Sequence, residues 1–306
     1  MYALALLAFW AGSIAPSFSA EPESLPTRAA RSRAEYCQYR KQVGYFKSLA
    51  RSEYNRLQFR NQGGLFNGGV CWWHSLFQRA ALYLAVFRPD LPRPTKSEAK
   101  ALIHSIAAGK KVVEIPGYRH LWTFSYDFED LIQRKLEEWQ RVDGFLKFAW
   151  LKGLQGHPRV DPGEIKKRLD TIHHLVDDKS EVHWAMLQTP GISSHSALFT
   201  DVLRGPYRYD LEVIDSNRPT ARRVFYYYPG DDAIYLKEYD HFVPYVGRKS
   251  DLKNFRKASD RYCAENRRQG LATGADSRES SEDGSTDTFG DTLGGSLDEH
   301  LSNDLE

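Results

Sequence analysis

The chain has 306 residues, a hydrophobic fraction of 41 % that includes 13 % aromatics, and a formal net charge of +2. That length and apolar content suffice for a sizeable core, which excludes a fibrous or wholly disordered chain. The near-neutral total hides an asymmetry: from Gly270 to Glu306 ten acids stand against Arg278, a net of −9, so the preceding part carries +11. A basic body can attract an anionic envelope surface. Its basic residues are spread along the chain, however, as on an ordinary solvated surface, so no specific nucleic-acid binding is expected.

In chain order, "MYALALLAFWAGSIAPSFSA" has no charge, an apolar run from Tyr2 to Trp10 and small residues before the acidic "EPES". It predicts a signal peptide over residues 1–20, with an N-terminal membrane anchor as the alternative, although the run is short for a membrane span. Export to a periplasmic or extracellular location follows. Residues 21–33 are polar and read as a loose leader. The three cysteines are Cys37, Cys71 and Cys263. A Cys37–Cys263 bridge would tie the two ends of the folded part together and leave Cys71 free, and three unpaired thiols are the equal alternative.

Ala34–Phe59 has helical apolar spacing and no proline. A glycine-rich loop, "NQGGLFNGGV", leads into a helix over Cys71–Phe87 that is apolar on nearly every side, the mark of a central helix. "RPDLPRP" stops it. Further helices are expected over Lys96–Ala108, Asp127–Leu151 and Pro162–Val176, the last with Asp161 as N-cap, and a short strand over Lys111–Ile115. From "EVHWAMLQT" to "AIYLKEY" the chain turns to short β-branched and aromatic runs separated by turn residues, which read as consecutive antiparallel strands. Helices followed by strands predict an α+β fold, with the helices on one side of the sheet. A single domain over residues 34–269 and a disordered acidic tail over 270–306 complete the reading.

A cysteine at a helix N-terminus meets free backbone N–H groups and the positive end of the helix dipole, both of which favour thiolate. The glycines ahead of it allow a substrate close to the backbone. A thiolate nucleophile needs a base that also protonates the leaving group, and that base needs a partner to fix its tautomer. His195 opens "HSALFTDVLR", and twenty residues later "LEVIDSN" carries Asp215. Paired as a hairpin, these runs bring His195 and Asp215 to one end of the sheet. Other histidines fit less well. His173, His174 and His183 lack the spacing of a zinc site, so no metal and no cofactor is expected, and His74 reads as a packing residue.

The order of these residues resembles that of papain-like cysteine proteases: a helix N-terminus with Cys followed by Trp, here Cys71-Trp72, then His on a strand and Asn or Asp on the next. "GGVCWW" is also similar to the "GGxCxG" box of bacterial effector proteases in that superfamily. The resemblance implies a papain-like fold, Cys71 as nucleophile, His195 as general base and acid, and Asp215 as orienting residue. It also implies an upstream side-chain amide in the oxyanion hole, for which Asn67 and Gln62 are candidates. The implied activity is hydrolysis of amide bonds in peptides or peptidoglycan stems by a monomer. Transglutaminase-like acyl transfer and non-catalytic envelope binding on the same fold are the alternatives.

Overall fold

A computed structural model describes residues 26–64, 69–143, 157–190 and 194–275. The predicted signal peptide, Asn67 and residues 276–306 of the tail lie outside them. The chain divides into two compact units, Met1–Asn266 and Arg267–Glu306, and the described part of the second is the end of the last helix. No described helix is long and apolar enough to cross a membrane.

The segment expected to be one helix, Ala34–Phe59, is divided. Helix α1 (Arg33–Tyr39) is capped by the Ser32 side chain, and α2 (Tyr45–Arg51) starts anew after Gly44, followed by a short 3₁₀ turn at Glu53–Asn55. Gly44, the residue before α2, has φ +83°, a left-handed conformation that favours glycine and keeps the two helices from running together. Val43, an apolar residue of that segment, is 81 % exposed. The leader is also not loose along its whole length. Ala29 and Ala30 are buried, the Asn55 amide donates to Thr27 O, and the Phe87 N–H donates to Ala30 O.

The central helix, α3 (Cys71–Leu84), buries every residue except Trp72. Its expected last turn becomes β1 (Ala85–Arg88), which pairs in parallel with β2 (Val113–Pro116). Between them α4 (Lys96–Ala108) begins with a capping box from Thr95 and Glu98. A short helix the sequence reading did not include, α5 (Leu121–Asp127), ends at Phe128, and the helix expected from Asp127 starts at Glu129 as α6 (Glu129–Arg141). Its expected end, up to Leu151, lies outside the described residues. Helix α7 (Pro162–His173) has Asp161 accepting from Gly163 N–H at 2.8 Å, and runs into a π turn at His174–Asp178.

The antiparallel sheet is built from β3 (His183–Gln188), β4 (Ser194–Arg204), β5 (Tyr209–Asp215), β6 (Arg223–Tyr227), β7 (Ile234–Leu236) and β8 (Asp240–Val246). Their order is β6-β5-β4-β3-β8-β7, and the sheet curls so that β6 and β7 approach each other. Mixed helix and antiparallel sheet make this an α+β protein. The helices, however, cover both faces of the sheet. Trp184, Met186, Leu198 and Ile214 join the core around α3, whereas Ala185, Leu187, Ala197, Phe199 and Val213 join Ile165, Leu169 and Ile172 of α7. Strand β4 is accordingly buried without interruption from His195 to Thr200. A strand covered on both sides has no polar row.

Helix α8 (Lys249–Ala275), absent from the sequence reading, runs past the expected tail boundary at Gly270. Its Leu252, Phe255, Ala258 and Tyr262 pack into the α3 core. The Cys37–Cys263 disulfide joins it to α1, so Cys71 is the free cysteine. Arg79 of α3, fully buried, is held by Asp251 of α8 at 2.8 Å.

Candidate active site

The N-terminus of α3 meets the start of β4 at a set of hydroxyl contacts. Ser196 Oγ donates to the Cys71 carbonyl at 2.9 Å and lies 3.1 Å from Ser75 Oγ. The first turn of the helix is thereby fixed to the strand, one residue from His195. Cys71 Sγ reaches within 3.8 Å of the Ser194 carbonyl. Cys71 and His195 are both buried, 8 % and 6 % exposed.

The β4–β5 register pairs Ala197 with Asp215, so Asp215 stands diagonally across from His195. His195 Nε2 lies 2.8 Å from Asp215 Oδ1, and Cys71 is within hydrogen-bonding reach of the same imidazole. Burial pulls the His195 pKa down, but hydrogen bonds and charge from Asp215 and Cys71 more than offset it and raise it to about 9. Burial pushes Asp215 up, but His195, the Asn217 N–H and Tyr239 leave it below the usual carboxylate range. The stable arrangement near neutrality is therefore imidazolium beside carboxylate. The three residues picked from the sequence thus come together.

The two oxyanion candidates do not. Gln62 is exposed and its amide donates to Glu129 at 3.0 Å, so its donor is engaged on α6. Asn67 lies outside the described residues. The amide found at the helix start is Asn61, whose Oδ1 accepts the Val70 N–H and whose Nδ2 donates to Asn217 Oδ1 at 3.0 Å. Helix α6 holds the glycine loop from behind: Gln133 Nε2 donates to Gln62 O and Gln140 Nε2 to Gly69 O, each at 2.9 Å, and Glu137 accepts from Gly64 N–H.

Sequence reasoning missed Ser196, Asn217, Asn61 and Tyr239. Asn217 was within reach as part of the Asp-Ser-Asn turn, whereas Tyr239 carries no local signal because it arrives from the β7–β8 turn. His74 binds Phe59 O through Nε2 at 3.0 Å, and burial lowers its pKa to about 4, so it is a neutral packing residue. His173 and His174 face Asp177 and Asp178, and His183 lies apart on β3. Among the described residues no group of three or more His, Cys, Asp or Glu side chains is placed to hold a metal ion. In comparisons with family models, curated proteins and solved structures, the chain matches none.

Proposed function

We propose that the protein is an exported cysteine hydrolase with a papain-like arrangement, acting on amide bonds of peptides or peptidoglycan stems. The observation that carries the reading is the 2.8 Å pair between His195 and Asp215, with Cys71, at a helix N-terminus, within hydrogen-bonding reach of the same imidazole. In this reading the Cys71 thiolate attacks the amide carbonyl. The developing oxyanion faces backbone N–H groups of the first turn of α3, which have no acceptor within the helix. The tetrahedral adduct collapses as protonated His195 gives its proton to the leaving nitrogen. Neutral His195 then takes a proton from water, whose oxygen attacks the thioester and releases the acid. Asp215 keeps the imidazole in the tautomer and orientation that both steps need.

The test is turnover of amide-bonded peptides and peptidoglycan stem fragments, with intact-mass detection of the acyl-enzyme. We expect an acyl adduct on Cys71 and release of a free acid, with at least ~10³-fold loss in Cys71→Ala. Activity should fall as pH rises through about 9, where His195 loses its proton. Transfer to an added amine in preference to water would reassign the enzyme to acyl transfer. Binding of these substrates without turnover or adduct would contradict the hydrolase reading.

A further inference from the structure

Tyr239, in the turn between β7 and β8, places one hydroxyl among four polar atoms of three side chains. It lies 2.7 Å from Asp215 Oδ2 and 2.9 Å from Oδ1, 2.8 Å from the Asn217 side-chain nitrogen, and 3.0 Å from His195 Nε2. Its ring lies over the imidazole, with centroids 4.6 Å apart and planes inclined by 31°. Burial, reinforced by the charge of Asp215, raises the phenol pKa far above its ordinary value, so the proton stays on oxygen. A phenol has one proton to donate. With that proton given to the carboxylate, the oxygen accepts from Asn217 Nδ2 and faces the His195 Nε2–H.

The contacts continue beyond this hydroxyl. Asn217 Oδ1 accepts from Asn61 Nδ2, and Asn61 Oδ1 accepts from the backbone N–H of Val70, the residue before Cys71. A chain of three side chains, Tyr239, Asn217 and Asn61, therefore runs from the carboxylate to the helix that carries the sulfur. Each link satisfies a donor or acceptor on a half-buried side chain next to the buried His195–Asp215 pair.

We propose that Tyr239 is a positioning residue: it fixes the rotation of the Asp215 carboxylate against His195 and, through Asn217 and Asn61, ties that pair to the start of the Cys71 helix. The proposal rests on the reading of Cys71, His195 and Asp215 as a hydrolase site. It competes with a second role for the same hydroxyl, dispersal of the Asp215 charge, and the two roles act on His195 with opposite sign. A carboxylate released to rotate holds the imidazolium less well, so the His195 pKa falls. A carboxylate relieved of a donor holds it more tightly, so the pKa rises. The other titratable or charged groups around the pair are Cys71 and His74 on α3, and Arg223, whose Nε lies 3.9 Å from Asp215 Oδ2 and which is itself paired with Glu238.

The experiment is an NMR titration of isotope-labelled histidines in the full chain, for the wild type and Tyr239→Phe, with steady-state kinetics beside it. Phenylalanine keeps the ring over the imidazole and removes the hydroxyl. We expect the His195 midpoint to fall by about one unit, a tenfold weaker hold on its proton, and kcat to fall at least ~10-fold with KM unchanged. An unmoved or raised midpoint overturns the proposal. Asn217→Ala, which removes the anchor of the hydroxyl but not the hydroxyl itself, should shift the midpoint in the same direction by less, and it decides the matter if Tyr239→Phe does not fold. The titration reads Tyr239 whether or not turnover is found. An unmoved midpoint in a variant of an active enzyme therefore counts against Tyr239 alone, whereas absence of turnover in the wild type counts against the hydrolase reading.

Discussion

His195 and His183 are both buried in the same sheet, and their surroundings drive them apart. His195 has Asp215 and is raised to about 9, whereas burial, aided by the positive charges of Arg79 and Lys249, lowers His183 to about 3. Neither ring nitrogen of His183 has a hydrogen-bond partner. A histidine whose folded pKa lies below its unfolded value of about 6.5 supports the fold above that value and weakens it as pH falls, because the unfolded chain takes up the proton first. His183 should therefore remove about 2 kcal/mol of stability between pH 7 and pH 5. His195 acts in the other sense: its contribution is complete below about 6.5 and is lost as pH rises through about 9. Urea unfolding at the two pH values checks the first claim. His183→Leu should lose about 2 kcal/mol less than the wild type on going to pH 5, and an unchanged difference would contradict it. The paired His195 was legible in the sequence because the hairpin expected from its neighbours sets Asp215 beside it. The isolation of His183 was not, since it depends on tertiary packing that buries the start of β3 near Arg79 of α3 and Lys249 of α8.

At the scale of elements, the site depends on a loop, a helix start and a second helix that braces them. Gly69 sits at φ +81°, and a Cβ there would meet the Asn61 amide nitrogen at 2.5 Å. Gly69→Ala should therefore displace Asn61 from Val70 and cost about 1–3 kcal/mol through backbone strain. Calorimetry reads that loss, and a variant as stable as the wild type would contradict it. The glycine loop and the start of α3 were legible because glycine spacing and an apolar helical run are local signals. The brace from α6 was not. Gln133, Glu137 and Gln140 fall on one helical face, but amides and carboxylates in that spacing look like an ordinary wet surface.

For the whole molecule, the order of helices before strands set the α+β class, and the odd number of cysteines pointed to a free thiol. The termini were read less well. Leu252, Phe255 and Tyr262 do recur at helical spacing in α8, but they are diluted by lysines and arginines along a solvent-facing surface. Strand β8 contains Pro244, which cannot donate to the ladder and suppresses the signal of a strand that lies next to β3. The Cys37–Cys263 disulfide closes the molecule behind α3 and leaves one thiol to carry the proposed chemistry. The most direct test of that chemistry is the rate at which iodoacetamide alkylates Cys71 at pH 6.5 without reductant, followed by mass spectrometry. The account predicts that Cys71 in the folded protein reacts at least ~10-fold faster than in the urea-unfolded chain, and that His195→Ala abolishes the difference. A folded Cys71 that reacts no faster than the unfolded one, or a His195→Ala variant that reacts like the wild type, would contradict it.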